Sequence, residues 1–458
     1  MCTCLIAGRN ASITGKTLLA ANDDWDGVPG VLAHVPCRKH GPGETYILTG
    51  GREIPQLPET WGYVYTACSY VIGTLDKAWA GGLNDRGVAA AGCGASAFRD
   101  IPAADAWLEP DDVLRLILER AESARHGVLL IGELIARYGI RPSAMEGCES
   151  MAVIALADRD EGWFLELAPG DHWIAVRVPD DEAAVRVNAF AVHDADLTDH
   201  ENVLCSPGLA EYARARGWWD GDERRFDFAD AYGAAVSPNE WGPELDPMNM
   251  RRRWRAVSLF RGADGAEDAT EYSVKPSRKL ELSDLTAVLR DVYEDTAYDL
   301  RKVPEAGRYG NPFHDGPVSY SLCRHATVAS IGADFAHGAL WAAMSTPAVC
   351  AYIPVYADIE GLPPACGGLT PGEPSLFWEW KEVSLLSQRR YGPNHDLLHP
   401  EILAFETEER RELEAEAGAL AALPAEERRA AGTELTEEHI RRGRALCASL
   451  RARLLERY

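Results

Sequence analysis

The chain has 458 residues, of which 46% are hydrophobic, and it carries 71 acidic against 46 basic residues, a formal net charge of −25. This size and apolar content suffice for a large core in one big domain or two moderate ones, and the acidic balance argues against nucleic acid or an anionic membrane surface as a partner. The sequence contains neither a run of about 20 apolar residues nor a signal-peptide pattern, so a cytoplasmic protein is expected.

The N-terminus has the pattern of a β-hairpin. Two apolar runs, Cys2 to Ala7 and Thr17 to Ala21, flank the turn-forming sequence GRNASITGK. If the turn is centred near Ser12 and Ile13, antiparallel pairing places Cys2 opposite the stretch from Asn22 to Asp24. The hairpin therefore predicts that the first cysteine meets a carboxylate.

The middle of the chain shows a helical pattern followed by strand patterns. Apolar residues at helical spacing from Val113 to Tyr138, preceded by Asp111 and Asp112 and followed by Gly139, predict one long helix or two abutting ones. The runs MAVIALA, GWFLELA and HWIAVRV come next, separated by polar turns, and predict a three-stranded meander.

A second strand-rich tract and a charged helical segment complete the chain. The tract runs from ATVASIGA through GALWAAM to CAYIPVY, and the segment from Leu403 to Tyr458 is charged and helical in composition, with a break at Pro424. We therefore predict layered α+β architecture, with one domain at residues 2–400 and a helical C-terminal appendage at residues 401–458.

The eleven cysteines and the known short motifs argue against several classes of site. The cysteines are scattered, odd in number and never spaced as Cys-x-x-Cys, and the His-Glu-x-x-His, Gly-x-Ser-x-Gly and Walker motifs do not occur. Gly92 to Ala97 fits the loose Gly-x-Gly-x-x-Ala dinucleotide pattern, but Pro102 argues against a phosphate-binding helix after it. The sequence therefore predicts no metal and no cofactor.

Cys2 gains its chemistry from its position behind Met1. Methionine aminopeptidases remove Met1 when the next side chain is small, which would leave Cys2 with both a thiol and a free α-amine. The usual pKa is about 8.5 for a free thiol and about 7.7 to 8.0 for an α-amine, so both groups suit nucleophilic attack and proton transfer near neutral pH. The alternative is that Cys2 is an ordinary buried strand residue.

Five stretches of the sequence, taken in order, resemble segments of one protein family. They are the N-terminal CTCLIAG…ASITGKTLLAANDD, then GGLNDRGVAAAG, ILERAESARHGVLLIGELIARYG, GWFLELAPGDHWIAVRVPDDEAAVRVNAF, and DVYEDTAYDL with LWAAMSTPAVCAYIPVY. Together they resemble the cysteine-type dipeptidases of the dipeptidase/secernin family, which are N-terminal nucleophile (Ntn) hydrolases distantly related to the choloylglycine hydrolases. The resemblance covers most of residues 2–390.

The resemblance implies an αββα sandwich of two antiparallel sheets between helical layers, and amide hydrolysis through an acyl-enzyme on Cys2. Cys2 would attack the scissile carbonyl with its own α-amine as the base, and Asp24 would hold that amine. Asn84 and Asn188 would be candidate donors to the developing oxyanion. Asp24 and Asn84 also fit the alternative role of turn residues.

One position departs from the family pattern. Relatives often carry Arg or Lys directly before the Asn-x-Asp segment, where this chain has Ala21. The segment MNMRRRWRAV contains four arginines, of which Arg253 is the candidate for a supporting cation, and the alternative is a solvated surface cluster. Cys4 shares a strand face with Cys2, so it is expected to line the site rather than to catalyse.

The leading hypothesis is a cytoplasmic dipeptidase that cleaves unblocked dipeptides, with a dipeptide or another small molecule as its substrate. One alternative is a dedicated amidohydrolase or acyltransferase that acts on an aminoacyl or acyl conjugate in specialised metabolism. The other is a non-catalytic scaffold that keeps the fold, against which the set of Cys2, Asp24 and Asn84 argues. The sequence leaves the substrate open, and it leaves open whether the chain forms a homo-oligomer.

Overall fold

In a computed structural model, the chain folds into two large antiparallel sheets that pack face to face. The structure describes residues 2–24, 29–68, 81–145, 148–234, 247–263, 271–299, 316–331, 338–370 and 372–457. In chain order, the strands are β1 (Thr3–Ala7), β2 (Leu18–Asp24), β3 (Gly30–Val35), β4 (Arg38–Lys39), β5 (Thr45–Ile47), β6 (Glu53–Pro55), β7 (Glu59–Thr60), β8 (Tyr63–Cys68), β9 (Gly81–Asn84), β10 (Ala89–Ala95), β11 (Ser143–Met145), β12 (Cys148–Ala157), β13 (Gly162–Leu167), β14 (Trp173–Arg177), β15 (Ala183–Arg186), β16 (Val203–Cys205), β17 (Ser273–Val274), β18 (Cys323–Ser330), β19 (Ala339–Ala343) and β20 (Ile353–Tyr356). The helices are α1 (Pro110–Arg120), α2 (Ala124–Tyr138), α3 (Leu209–Ala215), α4 (Phe228–Tyr232), α5 (Pro247–Arg261), α6 (Leu282–Arg290), α7 (Leu376–Gln388), α8 (Tyr391–Ala421) and α9 (Ala425–Leu455).

The first sheet is built on the N-terminal hairpin, and its strand order is β17-β15-β1-β2-β18-β19-β20. Thr3 pairs with Asn22 and Ala7 with Leu18, so Cys2 lies opposite Asp23. This register confirms the predicted hairpin and the predicted meeting of Cys2 with a carboxylate. The predicted C-terminal strand tract is confirmed as the neighbours β18, β19 and β20 of the same sheet.

The second sheet has the order β16-β14-β13-β12-β10-β9-β8-β3, with β11 paired to β12. The adjacent strands β12, β13 and β14 of this sheet form the predicted meander. The predicted long helical region is two helices, because the chain is extended at Ala121 and the Ser123 side chain caps the start of α2 by accepting from the His126 N–H. Gly139 ends α2 with a φ of 67°, a conformation that favours glycine.

The alternation of β1 shows how the layers are arranged. Cys4 and Ile6 point into the core between the two sheets, whereas Leu5 and Ala7 point into a second core formed with α5 and α6. Helices α1 and α2 pack on the second sheet. The order of layers is therefore helix, sheet, sheet, helix, which confirms the predicted αββα fold class.

The C-terminal helices pack against the first sheet. Helix α9 contacts α7 and β20, and the break between α8 and α9 comes at the predicted Pro424. The predicted domain boundary at residues 400 and 401 falls inside α8, whose Glu406 forms a buried ion pair with Arg290 of α6 at 2.7 Å. No helix in the part of the chain that the structure describes is both long enough and apolar enough to cross a membrane.

Candidate active site

Cys2 lies directly before β1 and is buried, with 8% of its surface exposed. Its backbone nitrogen donates to Asn188 Oδ1 at 2.6 Å, and its thiol lies 3.3 Å from Asp23 Oδ1. Its carbonyl oxygen accepts from Arg252 Nη1 at 2.6 Å. Side chains from three other parts of the chain therefore fix the nitrogen, the thiol and the carbonyl of this one residue.

Strand pairing on both sides of β1 brings two of these side chains to Cys2. Because Cys4 pairs with Arg186 of β15, continuing the antiparallel register places Asn188 beside Cys2. On the other side, β2 places Asp23 there. Strand pairing thus places Asn188 beside Cys2.

The orientation of the Asn188 amide assigns its role. Its Oδ1 accepts from the Cys2 nitrogen and from Arg252 Nη2 at 3.0 Å, and its Nδ2 donates to the Gly94 carbonyl at 3.0 Å. Because two donors face one end of the amide and a carbonyl faces the other, this orientation satisfies every partner. The predicted role of oxyanion donor is therefore corrected, since Asn188 holds the Cys2 nitrogen instead.

Glu166 of the second sheet holds the segment that follows Asn188. Its side chain is fully buried and accepts from the backbone N–H groups of Ala191 and Val192, and it also accepts from Arg186 Nε at 3.2 Å. Burial raises the pKa of Glu166, and the neighbouring Arg186 opposes that rise. This buried carboxylate therefore ties the two sheets together next to the site.

Arg252, rather than the predicted Arg253, is the arginine at Cys2. Besides the Cys2 carbonyl, its guanidinium donates to Thr3 Oγ1 at 3.2 Å and to Asn249 Oδ1 at 2.5 Å. The guanidinium of Arg253 instead lies over the ring of Tyr272, 4.8 Å from its centroid. Successive residues of a helix point about 100° apart, so the prediction selected the right segment and the wrong face of α5.

Asp24, the predicted carboxylate, is buried at the end of β2. Both of its oxygens lie 3.3 Å from Asn22 Nδ2, and Asn22 Oδ1 accepts from the Thr3 N–H at 2.6 Å. Burial raises the pKa of Asp24 to about 7, against the lowering effect of the Arg252 charge. The structure therefore brings Asp24 into the same polar cluster as Arg252.

Asp23 is the carboxylate that contacts the thiol, and this contact was not predicted from the sequence. It forms an ion pair with Arg324 and lies 3.3 Å from His325 Nε2. Burial alone would raise the pKa of Asp23, but Arg324 and His325 hold it well below its usual range. The only sequence signal for these partners was the pair of adjacent polar residues at the start of CRHATVAS, a strand that is otherwise mostly apolar.

The surroundings keep the Cys2 thiol protonated. Burial, reinforced by the negative charges of Asp23 and Asp24, raises the pKa of this thiol to about 12, although the Asp24 backbone N–H opposes the rise. A nucleophile in this state needs a base to remove its proton at neutral pH.

The structure does not offer Asn84 as a donor to a substrate. Its Nδ2 donates to the carbonyls of Leu118 and Ala121 at the end of α1, at 3.0 and 2.9 Å, and its Oδ1 accepts from the backbone N–H groups of Arg86 and Val88. Because both amide hydrogens are used, the predicted role in binding an oxyanion is corrected. Asn84 closes a turn onto a helix end.

Cys4 is fully buried beneath the site. A hydrogen bond with the Cys93 thiol, together with burial, raises the pKa of Cys4 well above its ordinary value. This position agrees with a lining role. Across the described ranges, no group of three or more His, Cys, Asp or Glu side chains is arranged to hold a metal ion.

Comparison with known proteins gives one family. The model of the family described as Peptidase family C69 matches residues 1–399. A probable dipeptidase from Latilactobacillus sakei is 25% identical over 417 residues, which is 85% of this chain and 82% of that protein. A probable dipeptidase from Salmonella dublin is 29% identical over 65% of this chain and 68% of its own length. The solved structure of a penicillin V acylase from Agrobacterium tumefaciens aligns with 78% of this chain and 86% of its own, at 14% identity and a TM-score of 0.38.

Proposed function

The chain belongs to peptidase family C69, and we propose that it is a cysteine-type dipeptidase that cleaves unblocked dipeptides through an acyl-enzyme on Cys2. The family match over residues 1–399 confirms the resemblance inferred from the five sequence stretches. Relatives described as probable dipeptidases support the choice of substrate. The observation that carries the proposal is that the nitrogen, thiol and carbonyl of Cys2 are each held by a separate side chain.

The proposed reaction begins once Met1 has been removed and the Cys2 nitrogen is a free α-amine. The amine takes the thiol proton while sulfur bonds to the scissile carbonyl carbon, and the carbonyl π electrons move to oxygen. When the tetrahedral intermediate collapses, the amine returns the proton to the leaving amino group. Water then attacks the thioester with the same amine as base, which releases the acyl product and restores the thiol.

The α-amine suits the role of base better than Asp23, the carboxylate in contact with the thiol. An α-amine has a usual pKa of about 7.7 to 8.0, whereas the pKa of Asp23 is held well below its usual range. Arg252 shares the acceptor Asn188 Oδ1 with the Cys2 nitrogen, and its positive charge favours the neutral form of that amine. Asp24, which is buried in the same polar cluster, supplies the negative charge that stabilises the amine once it is protonated.

The proposed substrate class rests on the net charge of the chain and on the small exposed fraction of Cys2. A net charge of −25 favours approach by molecules with a free cationic amino group, such as unblocked dipeptides. Cys2 is only 8% exposed, so a small substrate fits the access to it better than a folded protein does.

The test is a panel of unblocked dipeptides, their N-acetyl analogues, a tripeptide series and N-acyl amino acids, followed by mass spectrometry. We expect several unblocked dipeptides to be cleaved, the N-acetyl analogues to be poor substrates, and Cys2→Ala to be silent on all of them. Turnover of a conjugated metabolite alone would favour the dedicated amidohydrolase or acyltransferase. Silence on the whole panel with a Cys2 that does not react with alkylators would favour the non-catalytic scaffold.

A further inference from the structure

Strand β18 supplies two charged or polar side chains to a single carboxylate oxygen next to the nucleophile. Arg324 forms an ion pair with Asp23 Oδ2, and His325 Nε2 lies 3.3 Å from the same oxygen. The other oxygen, Oδ1, lies 3.3 Å from Cys2 Sγ. The two oxygens of Asp23 therefore have different partners, with a thiol on one side and its positive and polar neighbours on the other.

A local irregularity of β18 makes this arrangement possible. Successive residues of a regular strand point to opposite faces, so Arg324 and His325 could not both reach one carboxylate. The pairing with β2 shifts between Cys323, which is opposite Asp24, and His325, which is opposite Asp23. The extra residue in the strand is Arg324, and this bulge lets both side chains meet Asp23.

We propose that Asp23 holds the Cys2 thiol in its protonated form and in a fixed orientation, with Arg324 and His325 as positioning residues that keep Asp23 ionised. The proposal deepens the proposed function, since it rests on Cys2 being the nucleophile. An ionised carboxylate can only accept hydrogen bonds, so at 3.3 Å the thiol is the donor. A carboxylate this deeply buried would become protonated without a paired cation, and Arg324 supplies that cation.

Asp23 takes no proton in the reaction itself. As the S–C bond forms, the S–H bond breaks and its proton goes to the α-amine of Cys2, while Asp23 stays ionised beside its partners. A negative carboxylate in contact with sulfur opposes a second negative charge there. The thiolate therefore develops only as the amine accepts the proton. In the free enzyme the thiol stays protonated.

Several other groups face Cys2 and Asp23 from the elements packed around them. They are Asp24 of β2, Cys323 of β18, Arg252 of α5, Cys4 of β1 and Cys93 of β10. Arg252 carries a positive charge, and burial raises the pKa of the Asp24 carboxyl group to about 7. Of these charged groups, Asp23 is the one whose carboxylate lies within hydrogen-bond distance of the thiol itself, at 3.3 Å.

The test measures how alkylation of Cys2 by iodoacetamide depends on pH, using mass spectrometry of the N-terminal peptide of the mature protein. In Asp23→Asn the midpoint of this profile should fall by about one pH unit or more, because a negative charge beside the thiol is lost. In Arg324→Gln it should also fall, because Asp23 then lacks the cation that keeps it ionised and becomes protonated. Arg324→Lys keeps the charge and should resemble the unsubstituted protein.

The matched control is Asp358→Asn. Asp358 is also a buried aspartate with an arginine partner, Arg429 at 2.8 Å, but it follows β20 at the far edge of the first sheet. Its substitution removes a buried charge without touching Cys2, so the midpoint should not move. Thermal unfolding of each variant shows whether the fold is retained.

A merely structural role of Arg324 would not lower the midpoint in Arg324→Gln while leaving it unchanged in Arg324→Lys. The proposal is overturned if the midpoint of Asp23→Asn is unchanged or raised, or if Arg324→Gln does not lower it. Should Arg324→Gln not fold, Asp23→Asn and Arg324→Lys decide the question by themselves. Labelling does not depend on turnover, so an unshifted profile overturns the role of Asp23 alone, whereas a Cys2 that never labels overturns the proposed function as well.

Discussion

Cys2 and His439 are both buried among charged side chains, one at the start of β1 and the other on α9 between the C-terminal helices. At Cys2, the thiol contacts Asp23, whose other oxygen is paired with Arg324. At His439, the two ring nitrogens lie 2.5 Å from Glu409 and 3.2 Å from Glu416. In both places buried charges are stable because each has an opposite charge in contact with it.

The two clusters differ in what the charges act upon. Burial alone would lower the pKa of His439, but the contacts with Glu409 and Glu416 raise it to about 9 and so favour the ion pair that joins α8 to α9. At Cys2 the carboxylates act on a thiol and, together with burial, keep its proton in place. A buried charge cluster therefore indicates chemistry only where it contacts a group that can react, and the following predictions test that distinction.

The largest effect on activity is expected at Cys2, and it should distinguish Cys2 from the neighbouring Cys4. Cys2→Ala removes the proposed nucleophile and should abolish turnover, a loss of about 10³-fold or more. Cys4→Ser changes a lining residue and should leave much of the activity. Initial rates on an unblocked dipeptide and labelling by a thiol alkylator measure both effects. A silent Cys4→Ser with an active Cys2→Ala would reverse the assignment of the nucleophile.

Blocking the nitrogen of Cys2 should be nearly as damaging. A protein that retains Met1 or carries an uncleaved N-terminal tag has an amide in place of the α-amine, and an amide nitrogen cannot act as the base. Intact-mass measurement of active protein should therefore show that Met1 is absent. Full turnover with a blocked N-terminus would refute the proposed mechanism.

Asp24→Asn should lower kcat by about 10²-fold, as the loss of a charged orienting group does in other catalytic sites. The buried amide keeps the size of the side chain but removes the negative charge that stabilises the protonated amine. Steady-state kinetics on a cleaved dipeptide give the effect, and Asp358→Asn is the control for losing a buried aspartate elsewhere. Equal losses in both variants would show that Asp24 acts only through stability.

The two neighbouring arginines of α5 should differ in a smaller but measurable way. Arg252 donates to four acceptors, among them the Cys2 carbonyl and Asn188 Oδ1, and a lysine has no planar fork with which to replace them. We expect Arg252→Lys to lower kcat by about 10-fold through misplacement of Cys2. Arg253→Lys, which keeps a charge near Tyr272, should leave kcat close to that of the unsubstituted protein. The reverse ranking would restore the sequence-based choice of Arg253.

The smallest effect on activity is expected at the C-terminal cluster. His439→Gln should leave the activity per folded molecule unchanged and should lower thermal stability. Because the folded pKa of His439, about 9, lies above its usual value of about 6.5, the stabilisation is complete below about pH 6.5 and is lost as the pH rises through about 9.

Melting temperatures between about pH 6 and about pH 10 test this dependence. The difference between the unsubstituted protein and His439→Gln should be largest at the acid end of the range and should shrink towards the alkaline end. A difference that grows with pH would contradict the charged state assigned to His439.

The sequence by itself determined the parts of this protein that depend on local pattern. Alternation and turn residues established the N-terminal hairpin, and its register brought Cys2 to the stretch that contains Asp23 and Asp24. Helical spacing located α1 and α2, and the family motifs indicated the sandwich fold and led to the proposal that Cys2 is the nucleophile. Each of these features follows from residues close together in the chain or from a run of motifs in order.

Only the tertiary structure decided which side chains share the site. Asn84 and Asn188 looked equivalent in sequence, yet one closes a turn onto α1 and the other holds the Cys2 nitrogen. Arg324 meets Asp23 from a strand about 300 residues away, through a bulge in the pairing of β18 with β2. Local periodicity tells whether a segment is a strand or a helix, but contacts between distant segments depend on how the sheets and helices pack, and that packing assigned Asp23, Arg252 and Arg324 to Cys2.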